Sequence, residues 1–159
     1  MQQFLQRLQD SDFAVWVSAA PTIWAYPTIL TLHTVGLAII VGPNAVLDLR
    51  LLGVGSRVPI AALKNVFRFM LVGFIINAST GIALFISEAA EKGVIWIFWL
   101  KLSIIAVALI VADQIRRSVY RGDAALADVI PVAVKLMAVA SLALWLGAIT
   151  AGRLMAYVK

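Results

Sequence analysis

Four stretches of this chain run apolar for about twenty residues or more, and polar residues gather between them. They cover Thr22–Leu47, Val66–Ile86, Ile95–Asp113 and Pro131–Tyr157. About twenty apolar residues wound as a helix cross the hydrocarbon core of a bilayer, so the pattern predicts four spans joined by short links. Pro27 and Pro131 stand where a helix tolerates proline, near its first turn. Gly42-Pro43 predicts a break or kink late in the first span. The links are charged: Asp48–Asn65 carries Arg50, Arg57 and Lys64; Ser87–Val94 carries Glu88, Glu91 and Lys92; Gln114–Ile130 carries Arg116, Arg117, Arg121, Asp123 and Asp128.

Residues 1–21 have a different pattern. Phe4, Leu5 and Leu8 suggest one apolar stripe, and Asp10, Ser11 and Asp12 suit the cap of a second short helix over Phe13–Ala19. Phe13 and Trp16 fit a segment lying in the head-group layer. The opening MQQFLQRLQDSDF has acids and no basic stretch ahead of an apolar core, so the first span is expected to stay as an anchor and not to be cleaved as a signal peptide. The expected fold is all-α: an integral membrane four-helix bundle over residues 22–159, preceded by a short interfacial amphipathic segment over residues 1–21.

Composition narrows this further. The chain has 159 residues, 63% hydrophobic and 13% charged, with mean hydropathy +1.00; a soluble domain carries about 25% charged residues. The net charge of +5 is no sign of nucleic-acid binding, because the Lys and Arg residues sit mostly at span ends, where they orient the protein and meet anionic lipid. The absence of cysteine excludes disulfides, thiolate-bound metal, iron–sulfur clusters and covalent c-type haem. Arg50, Arg57, Lys64, Arg68, Arg116, Arg117, Arg121 and Lys135 fall on one side of the four spans; Arg7, Lys92, Lys101, Arg153 and Lys159 fall on the other. Eight against five predicts both termini on the periplasmic face of a bacterial inner membrane. Trp16, Trp24, Tyr26, Trp96, Trp99 and Tyr157 share that outer side, while Tyr120 lies on the inner one.

Two weaker patterns concern assembly. Asp48-x-Arg50 after the first span is echoed by Asp113-x-x-Arg116 after the third, and Pro59 with Lys64 by Pro131 with Lys135, as in two hairpins of like orientation. Ala143, Gly147 and Ala151 stand four apart, a register that lets helix backbones approach closely. The neighbour is either another span or a second copy, and a homo-oligomer is expected.

Ionisable groups at membrane depth are costly and mark function by default. The candidates are His33, Lys101, Asp113, Lys135 and Arg153. Lys135 snorkels from the start of its span, Asp113 has Arg116 and Arg117 beside it, and Arg153 lies near a span end. His33, the single histidine, lies about 15 Å along its helix, roughly half way across the hydrocarbon. Asn77, Ser79 and Thr80 fall at similar depth on the antiparallel second span, with Gly36 and Gly81 leaving room for something flat. Lys101 and Arg153 lie higher.

This order suits a b-type haem: His33 as the iron and metal ligand, Asn77 and Thr80 lining the site, and Lys101 and Arg153 holding propionates. One histidine per chain precludes bis-histidine ligation within a protomer, and Met70, Met137 and Met155 lie at the wrong depths to replace it. A quinone site or a copper ion shared between copies are other occupants. The alternative is non-enzymatic: His33 bonds Asn77 or Thr80 and fastens two spans together. The Asp48–Gly53 stretch is expected to end the helix at the interface; otherwise Asp48 caps the next segment or pairs with Arg116 or Arg117. No nucleophile–base pair, phosphate loop or paired carboxylates point to catalysis.

Tyr26-Pro27, His33 with Gly36, Asp48-Leu49-Arg50-Leu51-Leu52-Gly53, Gly73, Thr80-Gly81, Phe98 and Lys101-Leu102 together resemble the bacterial four-span family known as domain of unknown function 6644, from about Ser11 to Tyr157. That resemblance implies the fold and no activity. A looser similarity, to the copper-resistance D and haem-dependent protoporphyrinogen oxidase types of membrane protein, rests on a histidine in an early span and Lys-Leu near the start of a later one. It implies His33 as a haem or metal ligand and Lys101 as its polar partner. The expected function is therefore a small cytochrome-b-like subunit passing electrons to or from a periplasmic partner or quinone, the alternative being a membrane scaffold or transport component.

Overall fold

The computed structural model describes residues 2–120 and 130–157. Arg121, Asp123, Asp128 and Lys159, counted above for charge, lie outside the described residues. Helices α1 (Gln2–Gln9), α2 (Asp12–Ala19), α3 (Tyr26–Leu51), α4 (Val66–Ser87), α5 (Ala89–Lys92), α6 (Trp96–Tyr120) and α7 (Val132–Leu154) follow one another, with a 3₁₀ segment Ile60–Asn65 leading into α4. No strand occurs among the described residues.

The four long helices are apolar enough to cross a membrane, and their outward faces confirm what they meet. Leu71, Ile75, Ile110, Leu136 and Leu146 are all exposed on the bundle surface. Water would make such a surface untenable, whereas acyl chains are as apolar as these side chains. The protein is a multi-pass membrane protein in contact with the bilayer.

Within the bundle α3 packs along α4, α6 along α7, and α3 against α7. Each buried stripe repeats at three- and four-residue steps, one face of a helix: Ile40, Asn44, Leu47 and Leu51 on α3; Ala108, Ala112, Ile115 and Val119 on α6; Val134, Ala138, Ser141, Trp145 and Ala148 on α7. The stripes make a dense plug at the end bearing the 3₁₀ segment, where Leu47, Leu51, Ile60, Ile115, Val119, Val134 and Ala138 meet. Tyr120 tethers that segment by donating to the Ile60 carbonyl at 3.0 Å. At the other end, which bears the termini, the core thins to Ile95, Ile97 and Ala151.

Ser11 caps α2 by accepting from the Ala14 N–H, as the Asp10-Ser11-Asp12 pattern predicts. α1 lies on α5 and α2 on α4. Leu5 is buried while Phe4 points outward, so the expected stripe is narrower than three residues. The Gln9 side chain accepts from the Ala90 N–H at 2.8 Å, joining this segment to the α4–α6 connection.

Two expectations are corrected and two are narrowed. Of a break or a kink at Gly42-Pro43 the break is excluded: α3 continues to Leu51 with Pro43 inside it. Asp48 therefore belongs to the span and is buried, not to the link after it. Arg116 and Arg117 both bind Asp113, at 2.6 Å each, so neither reaches Asp48. Within one protomer the Ala143–Gly147–Ala151 register is no tight seam either: Ala143 faces outward, and a Cβ on Gly147 would meet only Ile104 Cδ1 at 3.9 Å. The α7 seam follows Ser141, Trp145 and Ala148 instead.

Candidate functional site

Beside His33, α3 and α4 meet backbone to backbone. A Cβ on Gly36 would lie 2.8 Å from the Asn77 nitrogen, and one on Gly73 would lie 2.9 Å from the Gly36 carbonyl oxygen. Only two glycines let α3 and α4 touch backbone to backbone in this way. Gly36 thus makes room for α4 and not for a ligand.

This contact fixes the imidazole. Asn77 donates from Nδ2 to the His33 carbonyl at 2.8 Å. His33 Nδ1 lies 3.0 Å from the Asn77 carbonyl oxygen and 3.1 Å from Thr80 Oγ1. A carbonyl can only accept, and the Thr80 hydroxyl donates its own proton to the Ile76 carbonyl at 2.7 Å. The proton therefore sits on Nδ1, which leaves the Nε2 lone pair uncommitted. Among the described residues every hydrogen bond of the ring falls on Nδ1. The ring also lies against Gly81, whose Cβ would be 3.0 Å from Cε1. Gly81 is thus bare because the imidazole occupies the space.

His33 lines a cavity of about 480 Å³ between α4 and α6, with Asn77, Gly81, Phe74, Phe98 and Lys101. The cavity exists because α4 leans on α3, and α6 on α7, while α4 and α6 scarcely approach each other. Phe85 of α4 stacks on Phe98 of α6, centroids 4.8 Å apart and planes within 12°, and bridges the gap toward the termini. Trp99 meets Phe98 edge-on and is held by donating to the Gly93 carbonyl at 3.0 Å. Lys101 enters from α6 and runs beside Gly152 of α7, whose Cβ would lie 3.7 Å from its Nζ.

The structure thus brings His33, Asn77, Thr80 and Lys101 together. It does not bring in Arg153, whose side chain is exposed on α7, nor Ser79, which faces outward. Met70 lies on a second, smaller cavity with Phe67, Asp113 and Arg116. Among the described residues no three His, Cys, Asp or Glu side chains gather as a metal site would require.

Sequence reasoning missed one polar group of the interior. Asn44 Nδ2 donates to Asp48 Oδ2 at 2.6 Å and to Ser141 Oγ at 2.9 Å. All three residues are buried: Asn44 1%, Asp48 0% and Ser141 0% exposed. The i, i+4 spacing of Asn44 and Asp48 was a usable signal; Ser141, on another span, was not.

Fold and site together define an all-helical, four-span membrane protein whose bundle parts around a fixed histidine. Within that class the chain belongs to DUF6644, a family of unknown function, whose model matches residues 11–158. No curated protein and no solved structure matches the chain.

Proposed function

We propose that this protein holds a planar, largely apolar cofactor in the α4–α6 cleft through His33 Nε2, that the cofactor is haem b, and that the protein serves as a small cytochrome-b-like subunit for electron transfer in the membrane. The observation that carries this reading is the imidazole itself. Its Nδ1–H is committed to a backbone carbonyl, the arrangement that orients a metal-binding histidine and raises its basicity; its other nitrogen has no hydrogen-bond partner among the described residues, and the residue lines the cleft. The cleft volume falls in the range of small-molecule sites, and its lining is aromatic and aliphatic apart from His33, Asn77 and Lys101.

These residues fit a haem with one protein ligand. His33 would hold the iron, Lys101 would hold a propionate, and the Phe74 and Phe98 rings would cover the macrocycle. Bound there, haem would supply one-electron chemistry. Arg153 has no part in this version of the site. Electrons would pass to or from a quinone or a partner at the outer face. The excess of Lys and Arg at the opposite end supports periplasmic termini in a bacterial inner membrane. The outward apolar surfaces leave room for a homo-oligomer.

The test is optical. Protein purified from cells supplied with haem should show a Soret band that His33→Ala abolishes. Lys101→Ala should lower haem content more than thermal stability. Colourless, well-folded wild-type protein would refute the reading.

A second reading is favoured by one specific observation: His33 and Asn77 exchange hydrogen bonds across the glycine contact. In that reading His33 fastens α3 to α4 in a non-enzymatic scaffold or transport component. His33→Ala would then lower stability without removing any absorbance.

A further inference from the structure

Among the described residues Asp48 has no counter-charge. Its own helix carries Arg50, but that guanidinium turns outward and donates to the Ser56 and Val58 carbonyls. On α6, Asp113, Arg116 and Arg117 are paired with one another. Lys135 of α7, Lys64 of the 3₁₀ segment and Arg68 of α4 are not buried. The corresponding acid of the other hairpin, Asp113, sits at the surface between two arginines; Asp48 sits inside the bundle between an amide and a hydroxyl.

Its hydrogen bonding is also incomplete. Among the described residues Oδ2 accepts from Asn44, while Oδ1 is buried without a partner. A second orphan stands one turn along α7 from Ser141: the Trp145 Nε1–H, buried and likewise without an acceptor among the described residues. Between α3 and α7 lies a cavity of about 290 Å³ lined by Asn44 and Trp145. Asp48, the Asn44–Ser141 pair and Trp145 therefore form a polar line along the α3–α7 seam. It begins one turn from the end of α3 that bears the 3₁₀ segment. An unpaired carboxylate in such a place is costly, and a buried orphan calls for an explanation. A single negative charge with neutral neighbours matches a single positive one, and the smallest such ligand is the proton.

We infer that Asp48 is a reversible proton-binding site inside the membrane, held in place by Asn44 and Ser141. An O–H bond forms on the carboxylate with a proton drawn from water, and breaks when that proton returns to water. No electron moves, and no cofactor is required. The inference therefore stands apart from the haem proposal and can be tested on colourless protein.

The experiment is an infrared titration of the full chain in lipid nanodiscs, following the C=O stretch of protonated carboxyl groups. Wild-type protein should show a band from a buried acid that titrates reversibly and is missing in Asp48→Asn. Ser141→Ala should shift that same band, because the carboxyl loses a polar neighbour while the acid remains. Titrations that superimpose for wild type and Asp48→Asn would overturn the inference. Should Asp48→Asn fail to fold, a band unmoved by Ser141→Ala would overturn it equally.

Discussion

Replacing Gly36 by alanine puts a methyl group where the structure has none to spare. Its Cβ would lie 2.8 Å from the Asn77 nitrogen, 3.0 Å from the Gly73 oxygen and 3.1 Å from the Asn77 Cα. All three are backbone atoms, so no side chain can rotate away, and α4 itself must withdraw. Restoring ordinary contact at 3.4 Å moves it by about 0.6 Å, and a gap of that size forfeits a quarter or more of the dispersion attraction along the seam. Overpacking of this kind costs about 1–3 kcal/mol, and rigid neighbours place Gly36 in the upper half of that range. Alanine returns about 1 kcal/mol through its better helix propensity. The net loss is about 1–2 kcal/mol, a fall in Tm of about 2–8 °C for a chain of this size. Gly147→Ala is the control. Its Cβ meets one side-chain atom at 3.9 Å, so only the propensity gain remains and Tm should rise by about 2–4 °C. Thermal unfolding followed by circular dichroism in one detergent reads both. Equal shifts, or shifts of the same sign, would show that the α3–α4 contact is looser than described.

Asn44→Ala removes the donor shared by Asp48 and Ser141 and should destabilise by about 1–3 kcal/mol; the Asn44→Ala/Asp48→Ala pair should recover part of that loss in the same unfolding assay. Tyr120→Phe deletes the 3.0 Å bond to the Ile60 carbonyl and keeps the edge-on contact with Phe67. It should cost about 1 kcal/mol and speed amide exchange in the 3₁₀ segment Ile60–Asn65.

The long helices were readable because a bilayer imposes one length on all of them, and Val66–Ile86 was bounded within a residue of α4. The depth of His33 was readable for the same reason: antiparallel spans of known length set Asn77 and Thr80 opposite it. Reading failed where charge and packing disagree. Asp48 reads as the end of a span because carboxylates belong in water, and only Asn44 and Ser141 explain why α3 carries it inside. Gly36 and Gly81 read as space for a guest, whereas a helix backbone fills one space and the imidazole fills the other. The parting of α4 from α6 left no mark in either helix's periodicity, since lipid-facing and cleft-facing positions are equally apolar.

The stacked Phe85 and Phe98 rings have a consequence for traffic. They stand as a lintel across the end of the His33 cleft that faces the termini. Toward the other end Phe74 and Leu109 line both this cleft and the smaller one beside Asp113 and Arg116. A visitor to the imidazole enters past apolar walls or sideways from among the acyl chains, and one that dissolves in the membrane has the advantage of supply.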